Sequence, residues 1–355
     1  MNIVLIVPTG LGAEIGGHAG DANPVAKLVA SSCDLLITHP NVVNASDINE
    51  MTENTWYVEG SILDRFLEGS IRLKPTKTYN KILLAVNRPL RNDTINAASA
   101  ARATLGAHIE IVQLDKPLKM LATVGEKGAS GEIENWQELV EQVKNYDFDA
   151  LAIASKIDVD EEVAREYLEK GTGINPWGGI EAKASKLITT ALNKPMAHAP
   201  FASGEEDVFE DFDEEVDPRL SAETVSVCYL HCVLKGLHRA PRISTTEGLS
   251  NKEIDCMISP YGCVGRPHLA CLKAGIPVIV VKENKTVLNE VIPKEFIVVE
   301  NYLEAIGVIN AMKAGVTIES VRRPIKQTII VNQLGTIRGE KWPKKEEEDE
   351  NVQET

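Results

Sequence analysis

Residues 2–24 read NIVLIVPTGLGAEIGGHAGDANP, an apolar run that leads through a glycine-rich loop into a helix start. The apolar run of residues 2–8 predicts a buried strand, and Asn23-Pro24 is typical of the first turn of a helix. The five glycines between them permit positive φ angles and a close approach of the backbone to a ligand. A strand, such a loop and a helix predict the first unit of a parallel α/β sheet.

The same alternation continues along the chain. Apolar runs that end in turn residues predict further strands at residues 34–39, 81–86, 108–113, 149–155, 195–199, 254–260, 276–282 and 296–300. Patterns with helical spacing predict helices at residues 24–32, 60–68, 92–105, 135–145, 159–170, 179–192, 219–237, 267–274, 286–291 and 301–314. We therefore predict an α/β fold with two Rossmann-like, mainly parallel-sheet halves and a ligand cleft at the C-terminal ends of the strands.

Charge is distributed unevenly along the chain. Residues 205–217 hold nine acids and no base, and residues 341–355 hold six acids against three lysines, so these segments carry most of the net charge of −15. The remainder is nearly neutral, which argues against a nucleic-acid partner. The resulting prediction is an N-terminal Rossmann-like domain at 1–203, an acidic loop or lid at 204–217, a C-terminal α/β domain at 218–338 and a disordered acidic tail at 339–355.

The sequence also favours a location. No run of 18 or more apolar residues occurs, which argues against a membrane span, and the first residues lack the basic region and cleavage site of a signal peptide. We therefore expect a soluble, cytoplasmic protein without membrane association. Its six cysteines match no known zinc spacing and are expected to be reduced and packed. A homo-oligomer stays open.

The loops after the first two strands carry the candidates for catalysis. His18 and His39 could transfer protons near neutral pH, while Glu14 and Asp21 could orient groups or bind a divalent metal; the cofactor is otherwise unassigned. Neighbouring parallel strands end at one edge of a sheet, so both loops are expected to face the same cleft. A tight structural loop and an Asx-rich turn are the alternatives. The ligand-binding candidates in these loops are Thr9, Gly10, Gly12, Gly16, Gly17, Asn23, Asn41, Asn44 and Ser46.

Later loops at strand ends supply further candidates. Arg266 precedes Pro267 at a helix start and could clamp a phosphate or carboxylate with two hydrogen bonds. Cys263 could be a nucleophile if the helix start lowered its pKa, or simply a packed thiol. The ligand-binding candidates in this part of the chain are Asn175, Gly179, His198, Gly262, Arg266, His268, Glu283 and Asn284.

Three stretches carry a resemblance to one family. They are VPTGLGAEIGGHAGDANP at 7–24, ITHPNVVNAS at 37–46 and AHAP at 197–200. Over about residues 1–325 the chain resembles an uncharacterised domain-of-unknown-function family found in cyanobacteria, plants and archaea. This resemblance implies no activity.

Two further resemblances concern chemistry. Residues 254–313, with LKAGIPVI at 272–279, are similar to the sugar-nucleotide half of two-domain, GT-B-like glycosyltransferases, and Gly16-Gly17-His18 is similar to their acceptor-side loop. The glutamate that those enzymes carry before this helix motif is replaced by Leu269-Ala270-Cys271. Gly262-Cys263 is loosely similar to a motif of cofactor-independent amino-acid racemases, although a matching second cysteine loop is missing.

The main functional hypothesis is an enzyme that acts on an anionic small metabolite bearing a phosphate or carboxylate. In it, His18 and His39 transfer protons, and Arg266 and the backbone amides of the glycine-rich loop hold the anion. The alternatives are a glycosyltransferase-like sugar-nucleotide enzyme, a cofactor-independent racemase or isomerase, and a non-catalytic sensor that binds a nucleotide or metabolite.

Overall fold

The computed structural model describes residues 1–45, 48–171, 174–200, 216–224, 229–332 and 335–338. Its strands are β1 (Asn2–Leu5), β2 (Leu35–Thr38), β3 (Asn44–Ala45), β4 (Ile48–Asn49), β5 (Thr55–Tyr57), β6 (Arg72–Lys74), β7 (Lys81–Val86), β8 (His108–Gln113), β9 (Lys119–Gly125), β10 (Gly128–Glu134), β11 (Ala150–Ser155), β12 (Met196–Pro200), β13 (Arg242–Ser244), β14 (Cys256–Tyr261), β15 (Val278–Lys285), β16 (Ile297–Val299), β17 (Ile330–Asn332) and β18 (Gly335–Arg338). Its helices are α1 (Asn23–Ala30), α2 (Pro40–Val43), α3 (Gly60–Leu67), α4 (Asn92–Leu105), α5 (Trp136–Val143), α6 (Glu161–Lys170), α7 (Pro176–Leu192), α8 (Ser221–Thr224), α9 (Leu230–His238), α10 (Arg266–Ala274), α11 (Tyr302–Lys313) and α12 (Ile318–Val321).

Two parallel sheets organise the chain. The first has six strands in the order β16-β15-β14-β1-β2-β5, and the second has four in the order β12-β11-β7-β8. Every neighbouring pair within these two sheets is parallel. Parallel pairing requires long crossover connections, and helices supply most of them. The prediction of two Rossmann-like, mainly parallel-sheet halves is confirmed.

The central strands are buried on both faces. In β1, Ile3, Val4 and Leu5 are buried, and in β11 every residue is buried. Their sequences are therefore continuous apolar runs rather than alternating ones, as expected for covered parallel strands. One core cluster packs the first sheet against α3 and α10, and another packs the second sheet against α5 and α7.

The chain passes from the first sheet to the second and then returns. Strands β1, β2 and β5 are followed by β7, β8, β11 and β12 of the second sheet, and β14 to β16 then complete the first sheet. Ile3 is consequently paired with Cys256, more than 250 positions away. The predicted boundary at 204–217 therefore does not coincide with the division between the sheets, because β1 and β14 are hydrogen-bonded neighbours.

The chain forms two compact units, residues 1–306 and residues 307–355, and this is a different division from the one between the sheets. The second unit, taken by itself, contains α12 and the antiparallel pair β17–β18. Most of the acidic loop, residues 204–215, and the tail at 339–355 lie outside the described residues.

Most predicted elements are present, and the differences concern two helices and several strands. The helix predicted at 286–291 is wrong: this segment has no regular secondary structure, and the Val287 and Glu290 amides donate to the carbonyl oxygens of Leu11 and Gly262 at 2.9 and 3.0 Å. The helix predicted at 219–237 is observed as α8 and α9, on either side of residues that the structure does not describe. Strand β5 at the edge of the first sheet, the antiparallel hairpin β9–β10, and the short strands β3, β4, β6, β13, β17 and β18 were not predicted. No helix in the described ranges is long and apolar enough to cross a bilayer.

Candidate functional site

A cavity of about 590 Å³ lies where the C-terminal ends of the two sheets meet. Its wall comes from the loops after β1, β2, β11 and β14, from strand β12, and from α3 and α7. A volume of this size suits a small-molecule ligand. We call this space the central cavity. Its ionisable wall residues are His39, Glu59, Asp64, Lys156, Asp158, Glu161, Glu181, Lys186, His198, Glu223, Tyr229, Cys232, Cys263, His268 and Glu290.

The structure brings some of the predicted site residues into this wall and leaves others elsewhere. The predicted residues in the wall are Thr9, His39, Asn41, Asn44, Asn175, His198 and His268. The predicted residues outside the wall are Gly10, Gly12, Glu14, Gly16, Gly17, His18, Asp21, Asn23, Gly179, Gly262, Arg266, Glu283 and Asn284. Ser46 lies outside the described residues.

The glycines of the first loop serve close packing. Gly10 has φ +71°, and a β-carbon there would lie 2.9 Å from the backbone of Gly179 at the start of α7. A β-carbon on Gly179 would in turn lie 2.1 Å from the carbonyl oxygen of Ala129. These distances are shorter than van der Waals contact, so only glycine fits at either position. The glycines thus join the first loop to the second half of the molecule.

Polar residues of the same region hold this loop in shape. The Asp21 carboxylate accepts from the Gly16 amide at 2.9 Å, and burial raises the pKa of this carboxyl. Asn284 accepts from the Ile15 amide at 3.0 Å and donates to its carbonyl oxygen at 2.8 Å. Asn41 donates to the carbonyl oxygen of Gly16 at 2.8 Å.

The remaining predicted residues outside the wall also have structural surroundings. Glu283 accepts from the Tyr302 amide at 3.0 Å. Glu14 is exposed and lies 3.7 Å from the Arg219 guanidinium. Asn23 is the first residue of α1, and its side-chain oxygen has no partner among the described residues.

Arg266, the predicted anion clamp, is paired with a carboxylate of the same chain. The Arg266 guanidinium donates to both carboxylate oxygens of Glu68 at 2.8 and 2.9 Å. Such a two-bond pair satisfies the geometry that a ligand carboxylate would use. The Arg266 side chain is also 48% exposed and points to this surface pair rather than lining the cavity.

His39 lines the cavity as a neutral imidazole. Its Nε2 accepts from the Val7 amide at 3.1 Å, so its hydrogen is on Nδ1. Burial lowers the pKa of His39 to about 4. An imidazole in this state is a hydrogen-bond donor to a ligand and a poor base, which argues against the predicted role in proton abstraction.

A buried network connects His18 to the cavity. The His18 Nδ1 lies 2.5 Å from the Tyr167 hydroxyl, which donates to Glu223 at 3.2 Å. Burial lowers the pKa of His18 to about 4, so the ring is neutral. The Tyr167 hydroxyl directs its own hydrogen at the Glu223 carboxylate, and the His18 ring also contacts the Gly171 backbone. His18 is therefore connected to the wall residue Glu223 through Tyr167 and is not itself part of the cavity wall.

Glu223 is a buried carboxyl in the cavity wall. It accepts from the Ala19 amide at 2.5 Å, and Asn175 lies 3.4 Å away, within reach to donate. These bonds favour the anion, but burial outweighs them and raises the pKa of Glu223 to about 7. The charge of Glu181, across the same wall, raises it further. Glu223 can therefore hold or release a proton near neutral pH.

Two serine–histidine pairs lie beside the cavity. The Ser155 hydroxyl is 3.0 Å from Nε2 of His198, whose Nδ1 is 2.8 Å from the Glu181 carboxylate. The Ser259 hydroxyl is 2.7 Å from Nε2 of His268, whose Nδ1 accepts from the Gly265 amide at 3.1 Å. Both serines are buried, and both histidines belong to the cavity wall.

No cluster of three or more His, Cys, Asp or Glu side chains able to hold a metal ion occurs in the described part of the chain.

Sequence reasoning missed Glu223, Ser155 and Ser259. Glu223 is one of 52 acidic residues and follows an acidic segment that was read as a solvated loop, so nothing local distinguished it. Ser155 did have a signal, because it is the last residue of a predicted strand and His198 lies near the end of another. Glu181 has no such signal, since its contact with His198 depends on how α7 packs on the sheet.

The chain has detectable relatives. It is 35% identical over 331 residues to an uncharacterized lipoprotein from Synechococcus sp. (strain ATCC 27144 / PCC 6301 / SAUG 1402/1), and the alignment covers 88% of this chain and 90% of that protein. No solved structure matches the chain. The model of a family described as "protein of unknown function (DUF3326)" matches residues 2–322. The chain therefore belongs to the DUF3326 family, which confirms the resemblance to a family of unknown function.

Proposed function

We propose that the chain is an enzyme that converts a small molecule in the central cavity by general acid–base catalysis, with Glu223 as the proton-transferring group. The observation that carries this proposal is the buried Glu223 carboxyl in the cavity wall, whose pKa is raised to about 7. Catalytic acids and bases are most effective when their pKa lies near the working pH. A strongly perturbed carboxyl in a cleft is therefore a candidate for catalysis.

The hydrogen bonds around Glu223 suit both protonation states. The Ala19 amide and the Tyr167 hydroxyl stabilise the anion that remains after Glu223 gives its proton to a ligand. Burial stabilises the neutral acid that forms when Glu223 accepts a proton. Neither state is strongly preferred at neutral pH, so one carboxyl can act in both directions during a catalytic cycle.

The charge of the wall favours a neutral or cationic ligand over the anionic ligand that the sequence suggested. Two lysines, Lys156 and Lys186, belong to the wall. The carboxyl groups in the wall are those of Glu59, Asp64, Asp158, Glu161, Glu181, Glu223 and Glu290. A phosphate or carboxylate would be repelled by this excess of acids. The same argument weighs against a sugar nucleotide as the ligand.

The racemase alternative needs a reactive thiolate. Cys263 lines the cavity, but burial raises the pKa of its thiol to about 12, and its sulfur donates to the Pro260 carbonyl oxygen at 3.3 Å. A thiol in this state is a poor nucleophile and a poor base. The sensor alternative differs from our proposal in one measurable respect, because a sensor binds its ligand without converting it.

The test is an untargeted turnover assay at pH 7. The purified chain is incubated with a small-molecule extract, and mass spectrometry follows every compound that is consumed or formed. We expect at least one conversion, slowed on the order of 10²–10⁴-fold in Glu223→Gln, the usual contribution of a general acid or base. Glu166→Gln is the matched control, since Glu166 is an exposed carboxyl next to Tyr167 on α6. Absence of any conversion, or equal rates for Glu223→Gln and the unsubstituted chain, would contradict the proposal.

We also propose a cytoplasmic location without a nucleic-acid or membrane partner, and assembly into a homo-oligomer. The nearly neutral body outside the two acidic segments supports the absence of a nucleic-acid partner. The Synechococcus relative is called a lipoprotein, so fractionation of cells is the decisive measurement for the location. Recovery of the chain in the membrane fraction would contradict it. Light scattering of the purified chain tests the oligomer.

A further inference from the structure

We propose that Ser155, His198 and Glu181 form a nucleophilic triad that hydrolyses an ester carrying a small acyl group. This inference goes beyond proton transfer by Glu223, and it rests on the proposed function only in using the same cavity. Triads of this kind are identified by geometry and by the role of each member, because the same arrangement occurs on unrelated folds.

The fold places the three side chains together at one strand end. Ser155 is the last residue of β11, and His198 lies on the adjacent strand β12, paired in register with Ile153. Ser155 and Ile153 are two positions apart, so the Ser155 and His198 side chains lie on the same face of the sheet. Helix α7 covers this face and supplies Glu181 from its first turns. The C-terminal end of a parallel strand is where open α/β sheets place reactive groups.

The hydrogen bonds give His198 the form that a general base needs. A carboxylate can only accept, so Glu181 takes the hydrogen on Nδ1 of His198 at 2.8 Å. Nε2 is then a lone pair, and the Ser155 hydroxyl donates to it at 3.0 Å. His198 is oriented to take the hydroxyl proton, and Glu181 holds the ring in this tautomer and stabilises the imidazolium that forms.

Access to the hydroxyl sets the substrate class. Ser155 is 2% exposed, whereas its neighbour Lys156 and its partner His198 both belong to the cavity wall. Ser155 is not itself a wall residue, so a substrate has to approach its hydroxyl from the cavity past these two neighbours. This favours a small acyl group on a larger, uncharged or cationic alcohol that fills the acidic cavity above it.

The reaction is an acyl transfer to Ser155 followed by hydrolysis. The Ser155 oxygen bonds to the carbonyl carbon of the ester while its proton moves to Nε2 of His198. The bond between that carbon and the alcohol oxygen breaks, and His198 gives the proton to the departing alcohol. The oxygen of a water molecule then bonds to the acyl carbon while His198 accepts a water proton. The bond between the acyl carbon and the Ser155 oxygen breaks, and His198 returns the proton to Ser155. Ester and water are consumed, and alcohol and carboxylic acid are released.

Diisopropyl fluorophosphate tests the triad without knowledge of the natural substrate. The full-length chain is treated with this reagent, and peptide mapping by mass spectrometry locates the phosphorylated residue. We expect one label, on Ser155, absent from Ser155→Ala and formed at least 10²-fold more slowly in His198→Gln, since the hydroxyl then lacks its base. Ser259→Ala is the matched control, because Ser259 also bonds a histidine, and it should be labelled at Ser155 at the unsubstituted rate.

Each outcome bears on one proposal. Absence of label on Ser155, labelling of Ser259 instead, or equal rates in His198→Gln would overturn the triad, provided that the thermal midpoint shows the protein folded. A chain that labels at Ser155 but converts no compound in the extract would leave the triad intact and overturn the role of Glu223. A chain that converts compounds but never labels would do the reverse.

Discussion

The two serine–histidine pairs differ in the group that contacts Nδ1 of the histidine. In the four-stranded sheet, Ser155 ends β11 and His198 lies in the middle of β12, whereas Ser259 lies in β14 of the six-stranded sheet and His268 in α10. In the first pair a carboxylate accepts from the far nitrogen of the imidazole, and in the second a backbone amide donates to it. The hydrogen of the imidazole is consequently on opposite nitrogens, and only the first pair can withdraw a proton from its serine.

The second pair, Ser259 and His268, lies at the start of helix α10. His268 is the third residue of α10, and its ring reaches back to accept from the Gly265 amide, which precedes the helix and has no intrahelical acceptor. Nε2–H of His268 then donates to the Ser259 hydroxyl. Burial lowers the pKa of His268 to about 4, so the ring stays neutral and the arrangement is stable at physiological pH. The same residue types thus serve stability in one half and, we propose, chemistry in the other.

The largest expected effect comes from changing the tautomer of His198. In Glu181→Gln the amide can donate to Nδ1 of His198, which moves the hydrogen to Nε2 and makes this pair resemble the one at His268. The labelling rate of Ser155 by diisopropyl fluorophosphate should fall on the order of 10³–10⁴-fold, as wrong-tautomer substitutions do in serine triads. Circular dichroism serves as the folding control. A rate within threefold of the unsubstituted chain would mean that Glu181 does not set the tautomer.

The next largest effect is on stability, at the other pair. His268→Ala removes two hydrogen bonds and leaves a cavity at a side chain that is 3% exposed. The free energy of unfolding should fall by about 3–5 kcal/mol, in the range of other buried aromatic-to-alanine changes. Urea unfolding at pH 7 measures it. Ser259→Ala, which removes one hydroxyl, should lose only about 1 kcal/mol. Similar losses for the two variants would show that the ring is not what holds the helix start.

The comparison also shows how far a sequence can be read. All strands of the two sheets except the edge strand β5 were predictable, because the central strands are continuous apolar runs bounded by turn residues, and such runs depend only on local sequence. The return of the chain to the first sheet was not predictable, because the pairing of Ile3 with Cys256 has no local signal. The predicted helix at 286–291 failed for the same reason: its amides bond to Leu11 and Gly262, which no local pattern reveals.

The site residues likewise divide into those with a local sequence signal and those without one. The rule that polar residues near strand ends build a site predicts His39, His198 and His268, and all three lie in the wall of the cavity. Arg266 is predicted as an anion clamp from its chemistry alone. In the structure it pairs with Glu68, the residue that caps the C-terminus of α3. The role of a histidine depends on what each ring nitrogen contacts, and Glu181 and Gly265 are brought to their histidines by packing that spacing alone does not encode.

A pH titration of stability sharpens the comparison, because buried groups in the two halves respond in opposite directions. The pKa of Glu223 is raised from 4.5 to about 7 in the folded chain. Its stabilising contribution is therefore fully present below pH 4.5 and is lost as pH rises through 7. The pKa of His268 is lowered to about 4, so its contribution is present above pH 6.5 and is lost as pH falls through 4.

The Glu223→Gln variant isolates the pH-dependent contribution of Glu223 to stability. The glutamine does not titrate, so its free energy of unfolding relative to the unsubstituted chain should rise by about 3 kcal/mol between pH 4 and pH 8. Denaturant unfolding at several pH values measures this difference, with Glu166→Gln as an exposed control that should show no trend. A difference that is flat with pH would mean that Glu223 ionises as an ordinary carboxyl, and the proposed acid–base role would lose its support.

The smallest expected effect concerns the charge beside the second pair. Arg266 begins α10, two residues before His268, but its guanidinium is 48% exposed and pairs with Glu68 at the surface. Exposed ion pairs contribute little because water and salt screen them, so Arg266→Ala should lower the free energy of unfolding by at most about 1 kcal/mol. The labelling rate of Ser155 should not change, since Arg266 is not part of the cavity wall. If Arg266→Ala instead destabilised the chain as much as His268→Ala, the start of α10 would be held by its exposed charge. The contrast drawn between a structural and a chemical histidine would then need another basis.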